Sequence, residues 1–101
     1  MFSLFKNINK GLEEYRSTSG AILLDVREVD EYRSGHVPGA RNVPLSTIAT
    51  ADLPDDLHTP LFVYCLSGKR NSRAEMFLKN EGYTNVKNIG GINSYKGKIE
   101  K

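Results

Sequence analysis

Short segments bounded by Gly, Pro or polar residues alternate with longer mixed segments along the chain. The short segments predict four strands, at 21–24, 40–43, 61–64 and 86–89. The third is the clearest, because it is apolar throughout and rich in β-forming residues. The first is a continuous apolar run, which is typical of a strand buried in a parallel sheet.

The mixed segments predict helices at 9–17, 28–34 and 70–81. Asn9 is the expected cap of the first helix, and Ser46 is the expected cap of a brief additional one. In the last helix, Ala74, Phe77 and Leu78 are spaced i, i+3 and i+4 and would form its buried face. Strands that alternate with helices at this spacing predict an α/β domain with a mainly parallel sheet.

Length and composition favour one domain spanning residues 1–101. A chain of 101 residues, of which 39% are hydrophobic, suits a single small core. No apolar stretch approaches the roughly 20 residues that a membrane helix needs. The first residues also lack the basic leader and the cleavage site of a signal peptide. We therefore expect a cytoplasmic protein without a membrane partner.

Charge and residue usage exclude several kinds of site. The net charge of +2 is small and the basic residues are scattered, so no nucleic-acid partner is expected. Cys65 is the single cysteine, which excludes an internal disulfide and an all-cysteine zinc site. No metal-ligand or Ser-His-Asp spacing is present. His36 falls in a predicted turn, where we expect a structural hydrogen bond, and His58 falls in an exposed polar loop.

Cys65 ends the clearest strand, and the segment 66–70 connects it to the clearest helix. In parallel α/β sheets, ligands bind beyond the carboxyl ends of strands. The free N–H groups at a helix start attract anions, and together with Lys69 and Arg70 they would stabilise a thiolate. Gly68 would let the loop curl. Cys65 is therefore a candidate nucleophile, and the alternative is that it only fills the core, as many lone cysteines do.

Several motifs resemble those of the rhodanese family, in the family's order, from about residue 8 to residue 95. The family's first signature is similar to LDVRE (24–28), EY (31–32), GHVPGA (35–40) and NVP (42–44). Its active loop is similar to VYCLSGKR (63–70). Its closing segment is similar to GY (82–83), NV (85–86) and GG (90–91). Several motifs in one order are far more specific than a lone cysteine motif.

The resemblance implies a rhodanese-like fold, with a central five-stranded, mainly parallel sheet flanked by helices on both faces. It implies a sulfurtransferase that moves sulfane sulfur from thiosulfate or a persulfide donor to cyanide or a thiol. Cys65 would be the catalytic residue and would carry the sulfur as a persulfide, without a cofactor or a metal. A protein could also serve as the sulfur acceptor.

The resemblance also assigns roles to residues around Cys65. The loop that surrounds the outer sulfur with N–H groups would consist of Leu66, Ser67, Gly68, Lys69 and Arg70. Asp25 and Arg27 match a buried polar pair that braces the region under this loop. Glu31 is the expected salt-bridge partner of Arg27. All three are interpreted as structural support rather than as chemical groups.

Two alternatives to the sulfurtransferase stay open. Related folds use a Cys-to-Arg loop in phosphatases and arsenate reductases. Here four residues separate Cys65 from Arg70, and this shorter loop suits one sulfur atom better than a tetrahedral phosphate. The second alternative is a rhodanese-like module that binds a protein or relays sulfur to one. The presence of Cys65, Gly68 and Arg70 argues against an inactive module.

Two positions depart from the family pattern. Asn71 stands where the family often has Ser, and Tyr95 stands where it usually has Trp. We expect little effect of Asn71 on the chemistry, because Ser72 is adjacent. Tyr95 can keep the aromatic packing, but its hydroxyl needs a partner or solvent.

Overall fold

The centre of the molecule is a parallel sheet. The structure is a computed structural model and describes residues 7–67 and 70–101. Its strands are β1 (Ile22–Asp25), β2 (Arg41–Asn42), β3 (Leu61–Cys65) and β4 (Val86–Gly91). Their order across the sheet is β2-β1-β3-β4, and each neighbouring pair is parallel. The predicted α/β class, the parallel sheet and the positions of the four strands are confirmed.

The number of strands differs from the expectation. Within the described residues the sheet has four strands, not five. The fifth strand was implied only by the family resemblance, and the chain offered four strand-like segments. The described segments outside the sheet form helices, turns and an isolated antiparallel bridge between His36 and Glu100.

Three α-helices and two 3-10 segments complete the described secondary structure. The helices are α1 (Ile8–Ser17), α2 (Val29–Ser34) and α3 (Arg70–Asn80), and the 3-10 segments are Leu45–Thr50 and Ile92–Ser94. Among the described residues, no helix combines the length and the apolar character needed to cross a membrane.

Both predicted helix caps are wrong. The cap of α1 is Asn7, whose side chain accepts hydrogen bonds from the backbone N–H groups of Asn9 (3.0 Å) and Lys10 (3.4 Å). Starting the helix there lets it bury Ile8 completely. Ser46 lies inside a 3-10 segment, and its hydroxyl donates a 2.7 Å hydrogen bond to the Glu28 carboxylate instead of capping a helix.

The core lies on both faces of the sheet, because alternate residues of each strand point to opposite sides. Phe62 and Tyr64 point to the face covered by α1. Val63 and Cys65 point to the face covered by α3. Helices on both faces are therefore confirmed. On α3, Ala74 and Leu78 are buried and Phe77 is half-buried, as their spacing predicts.

A β-bulge distorts β4 where it passes the end of β3. Val63 pairs with Asn88, but the next residue, Tyr64, pairs with Gly90, so Ile89 is an extra residue in β4. Gly90 has a φ of 104°, which favours glycine because a side chain would strain the backbone there. The extra residue lies two positions before Gly91, which pairs with Cys65.

Residues 95–100 return to the segment that follows α2. The backbones of His36 and Glu100 exchange two hydrogen bonds of 2.9 Å. The Tyr95 hydroxyl donates a 2.8 Å hydrogen bond to the carbonyl of Lys98, and this bond supplies the partner that the hydroxyl was expected to need. The ring packs against the α1 face of the core.

Candidate active site

Cys65 lies at the carboxyl end of β3, beside the point in the sheet where the strand order reverses. The chain passes from β1 to β2 on one side and returns to place β3 on the other side of β1. Such a switch point leaves a crevice beyond the carboxyl ends of the two central strands. The Cys65 residue is 1% exposed, whereas Leu66 and Ser67, which follow it, are exposed.

The structure places part of the predicted loop. Leu66 and Ser67 are described, and Arg70 is the first residue of α3. Gly68, Lys69 and the side chain of Arg70 lie outside the described residues. The short connection between Cys65 and the start of α3 nevertheless matches the predicted arrangement of strand, loop and helix.

The start of the loop is fixed by backbone contacts with the chain beyond β4. The N–H group of Asn93 donates a 3.2 Å hydrogen bond to the carbonyl of Leu66. Gly91 lies against the same carbonyl, and a Cβ atom at Gly91 would collide with it and with the backbone of Ser67. Glycine at this position therefore allows the loop to approach β4.

Asp25 and Arg27 form a buried ion pair at the carboxyl end of β1, next to β3. Arg27 Nη2 lies 2.7 Å from Asp25 Oδ2, and Arg27 Nε lies 3.1 Å from both carboxylate oxygens. Arg27 Nη2 also donates a 2.7 Å hydrogen bond to the carbonyl of Gly35. Burial would lower the pKa of Arg27, but the hydrogen bond and the charge of Asp25 outweigh it and raise the pKa. The guanidinium is thus held firmly in its charged form.

Tyr64 completes this buried network and was not anticipated from the sequence. Its hydroxyl donates a 2.8 Å hydrogen bond to Asp25 Oδ2 and accepts one of 3.0 Å from the N–H group of Val37. Burial and the negative charge of Asp25 raise the pKa of Tyr64, so the phenol stays protonated and remains a donor. The sequence did contain one indication of this position. Successive side chains of a strand point to opposite faces of the sheet, so Tyr64 has to point away from the face of Cys65.

Glu31 has a role at the start of α2 that was not expected. The 2.7 Å ion pair of Arg27 is formed with Asp25, and the charge of Glu31 adds to the rise in the pKa of Arg27. The Glu31 carboxylate accepts a 3.0 Å hydrogen bond from the N–H group of Glu28 and so takes part in the capping box of α2. A residue three positions after a helix cap is ideally placed for this local bond, which orients its carboxylate.

The two histidines occupy structural and surface positions. The His36 ring stacks on Tyr32 at 3.8 Å, and its Nδ1 lies 2.9 Å from the Tyr32 carbonyl. The expected structural hydrogen bond of His36 is therefore present. His58 is exposed, as predicted, and its Nδ1 lies 3.0 Å from the Thr84 hydroxyl.

Comparison with known proteins identifies the family. The family described as Rhodanese-like domain matches residues 7–98 of the chain. The uncharacterized protein YqhL of Bacillus subtilis is 36% identical over 99 residues, covering 94% of this chain and 79% of that protein. The thiosulfate sulfurtransferase PspE of Escherichia coli is 42% identical over 73 residues, covering 68% of each protein.

A solved structure agrees with this match. A rhodanese with anions from E. coli superposes with a TM-score of 0.69 at 35% identity, covering 80% of this chain and 98% of that chain. The sequence motifs, the parallel sheet and the buried cysteine at the end of β3 all fit this assignment. The chain therefore belongs to the rhodanese family.

Proposed function

We propose that this protein is a sulfurtransferase that carries sulfane sulfur as a persulfide on Cys65. The observation that carries the proposal is the position of Cys65, at the end of a central parallel strand and one short loop before α3. The similarity to the thiosulfate sulfurtransferase PspE supports the same activity. Burial alone would suit a cysteine that only fills the core, so the argument rests on this position and on the family.

The reaction would proceed in two displacement steps. With thiosulfate as donor, the Cys65 thiolate attacks the outer sulfur, a new S–S bond forms, and sulfite leaves with the electron pair of the broken S–S bond. A thiolate or cyanide then attacks the outer sulfur of the persulfide, and the Cys65 thiolate leaves. The first step oxidises Cys65 to the persulfide level at the expense of the donor, and the second step returns it to the thiolate, so the cycle needs no separate oxidant or reductant. Together the two steps are covalent ping-pong catalysis.

The loop would stabilise negative charge on the sulfur atoms. N–H groups of Leu66 to Arg70 and the start of α3 would act as preset donors, in the manner of an oxyanion hole. Lys69 and Arg70 would attract anionic donors, an expectation that rests on their place in the sequence. Because Cys65 is 1% exposed, the reaction would take place largely shielded from water.

The acceptor must be a second molecule. Cys65 is the single cysteine in the chain, so no internal thiol can displace the persulfide as a disulfide. Cyanide and small thiols are the simplest acceptors, and a thiol on a partner protein has the same chemistry. We propose no metal or organic cofactor, because thiolate displacement at sulfur needs none.

The test combines a donor panel with the variant Cys65→Ser. Wild type is expected to turn over thiosulfate or a persulfide donor with cyanide or a thiol, and to gain the mass of one sulfur atom after donor alone. Folded Cys65→Ser is expected to do neither, with circular dichroism as the control for folding. Sulfur transfer by the folded variant would refute the role of Cys65. Hydrolysis of an aryl phosphate by wild type without sulfur transfer would favour the phosphatase alternative.

A further inference from the structure

Asn71, the second residue of α3, is completely buried and lies against the bulged end of β4. Its Nδ2 donates a 2.9 Å hydrogen bond to the carbonyl of Gly90 and a hydrogen bond to Asn88 Oδ1. The carbonyl of Val63 lies 3.4 Å from the same nitrogen. One amide thus joins the start of α3 to both β3 and β4.

The orientation of this amide follows from its neighbours. All three partners of Nδ2 are oxygen acceptors, so a reversed amide would place Oδ1 against three oxygens. In the observed orientation, Asn71 Oδ1 is buried without a hydrogen-bond partner among the described residues. The three acceptors around Nδ2 therefore fix both the position and the orientation of the Asn71 side chain.

Both ends of the loop are fixed to β4 or to the 3-10 segment that directly follows it. Asn88 Oδ1 accepts a 3.1 Å hydrogen bond from the N–H group of Gly90, so Asn88 stabilises the bulge while it binds Asn71. Asn71 directly follows the loop, and Leu66, which begins it, is bound by Asn93. Residues 88–93 therefore hold the loop at its beginning and at its end.

We propose that Asn71 is a positioning residue for sulfur transfer. This inference rests on the proposed function. By binding Asn88 and Gly90, the Asn71 amide sets the position of the start of α3, and hence of the closing end of the loop, relative to Cys65. The donors around the outer sulfur must be placed within fractions of an ångström to stabilise the transition state. Asn88 is the acceptor through which Asn71 acts.

The test compares Asn71→Ala, Asn88→Ala and the double variant, with Asn80→Ala as the matched control on the exposed end of α3. We expect kcat with thiosulfate to fall roughly 10- to 100-fold in both single variants, with a smaller change in KM. The double variant should lose less than the two single losses combined, because the two residues share one contact. Asn88→Asp, which keeps the acceptor oxygen, should recover most of kcat, and Asn80→Ala should match wild type.

A second readout does not depend on turnover. The ratio of Cys65 alkylation rates with iodoacetate and with iodoacetamide measures how strongly the loop favours an anion. We expect this ratio to fall several-fold in Asn71→Ala and Asn88→Ala and to stay constant in Asn80→Ala. If Asn71→Ala does not fold, Asn88→Ala decides the question, because it leaves the buried asparagine in place.

The outcomes separate this inference from the proposed function. A lower melting temperature, with kcat and the alkylation ratio unchanged at a temperature where the variants are folded, would show that Asn71 is only structural and would overturn the inference. Wild type without sulfur transfer would refute the proposed function. In that case an alkylation ratio that still falls in both variants would support the positioning of the loop, and an unchanged ratio would overturn it.

Discussion

The Tyr64 hydroxyl donates a hydrogen bond to Asp25, and Tyr64 is the residue directly before Cys65. The two neighbours point to opposite faces of β3, Tyr64 toward α1 and Cys65 toward α3. Through Tyr64, the buried pair of Asp25 and Arg27 therefore holds the end of β3 from the face opposite the thiol. Such a network can fix the position of Cys65 without touching it.

Asp25→Ala is expected to destabilise the protein more than it impairs the chemistry. Removing the carboxylate leaves the buried Arg27 guanidinium without its ion pair, and such a loss costs about 3–5 kcal/mol in the free energy of unfolding. Urea denaturation measures this change, and kcat is measured at a temperature where the variant is folded. Asp30→Ala, which removes an exposed carboxylate from α2, is the control. An unchanged melting temperature with lost activity would place Asp25 in the chemistry.

Tyr64→Phe is expected to lower the free energy of unfolding by about 1–3 kcal/mol at neutral pH, because Asp25 and the Val37 N–H group lose their partner. The difference from wild type should shrink above pH 10. An unfolded tyrosine ionises near 10.0, whereas burial and Asp25 raise the pKa of Tyr64 in the folded protein. The unfolded state then binds fewer protons, so wild-type stability falls as the pH rises.

Denaturation series at several pH values measure that difference directly. The comparison must be wild type minus variant, because the pKa values of Tyr32 and Tyr83 are also raised by burial and by nearby carboxylates. Their contributions are common to both proteins and cancel. Two stability curves that stay parallel from pH 8 to pH 11 would contradict the prediction.

Gly91→Ala is expected to reduce sulfur transfer strongly. The new Cβ atom would collide with the backbone of Leu66 and Ser67, which cannot move without displacing the loop. We expect kcat to fall about 10-fold or more, since small displacements of donor groups have large effects. Overpacking should also cost about 1–3 kcal/mol of stability.

Gly11→Ala is the matched control for this prediction. Its Cβ atom would collide with the side chain of Ile89 in the core under α1, not with the loop. We expect a comparable loss of stability but a clearly smaller loss of kcat than in Gly91→Ala, because this collision can reach the loop only indirectly, through β4. Equal losses of kcat in the two variants would show that Gly91 has no specific role at the loop.

Lys69→Ala is expected to slow transfer from thiosulfate more than transfer from a neutral persulfide donor. The prediction follows from the position of Lys69 in the sequence, because the residue lies outside the described part of the structure. A positive charge beside the site attracts anionic donors, and salt weakens the attraction. Rates should be compared at low and high ionic strength, with Lys10→Ala on α1 as the control. Equal slowing of both donors would exclude the electrostatic role.

The sequence predicted most of the secondary structure and the position of Cys65 at the end of β3. Apolar runs such as 61–64 and the helical spacing of Ala74, Phe77 and Leu78 are local patterns, and the structure confirms them. Errors appeared at helix starts. Two asparagines, at positions 7 and 9, are both good caps, and the choice between them depends on how deeply Ile8 can be buried.

The buried pair of Asp25 and Arg27 was predicted, but other residues that hold the loop could not be, because their partners are distant in the chain. Asn71 binds Asn88 across 17 positions, and the contact forms because the pairing of β3 with β4 places Asn88 beside Val63, under α3. Gly91 looked like part of a motif, but its close approach to Leu66 depends on strand register. The part of Glu31 in the capping box of α2 was also missed, because attention to its charge favoured an ion pair over a local backbone contact.

The strand order divides the sheet into two halves that are contiguous in sequence. Residues before Ala51 provide β1 and β2, residues after Pro60 provide β3 and β4, and the two halves meet along the pairing of β1 with β3. A cut in the irregular segment 51–60 would separate β1 from β3. Each fragment would then expose the unpaired backbone groups of one strand, and the other fragment carries the strand that pairs with them. Asp25 and Cys65 would then belong to different fragments. The fold is thus suited to fragment complementation, in which regained sulfur transfer would report that two fused proteins have come together.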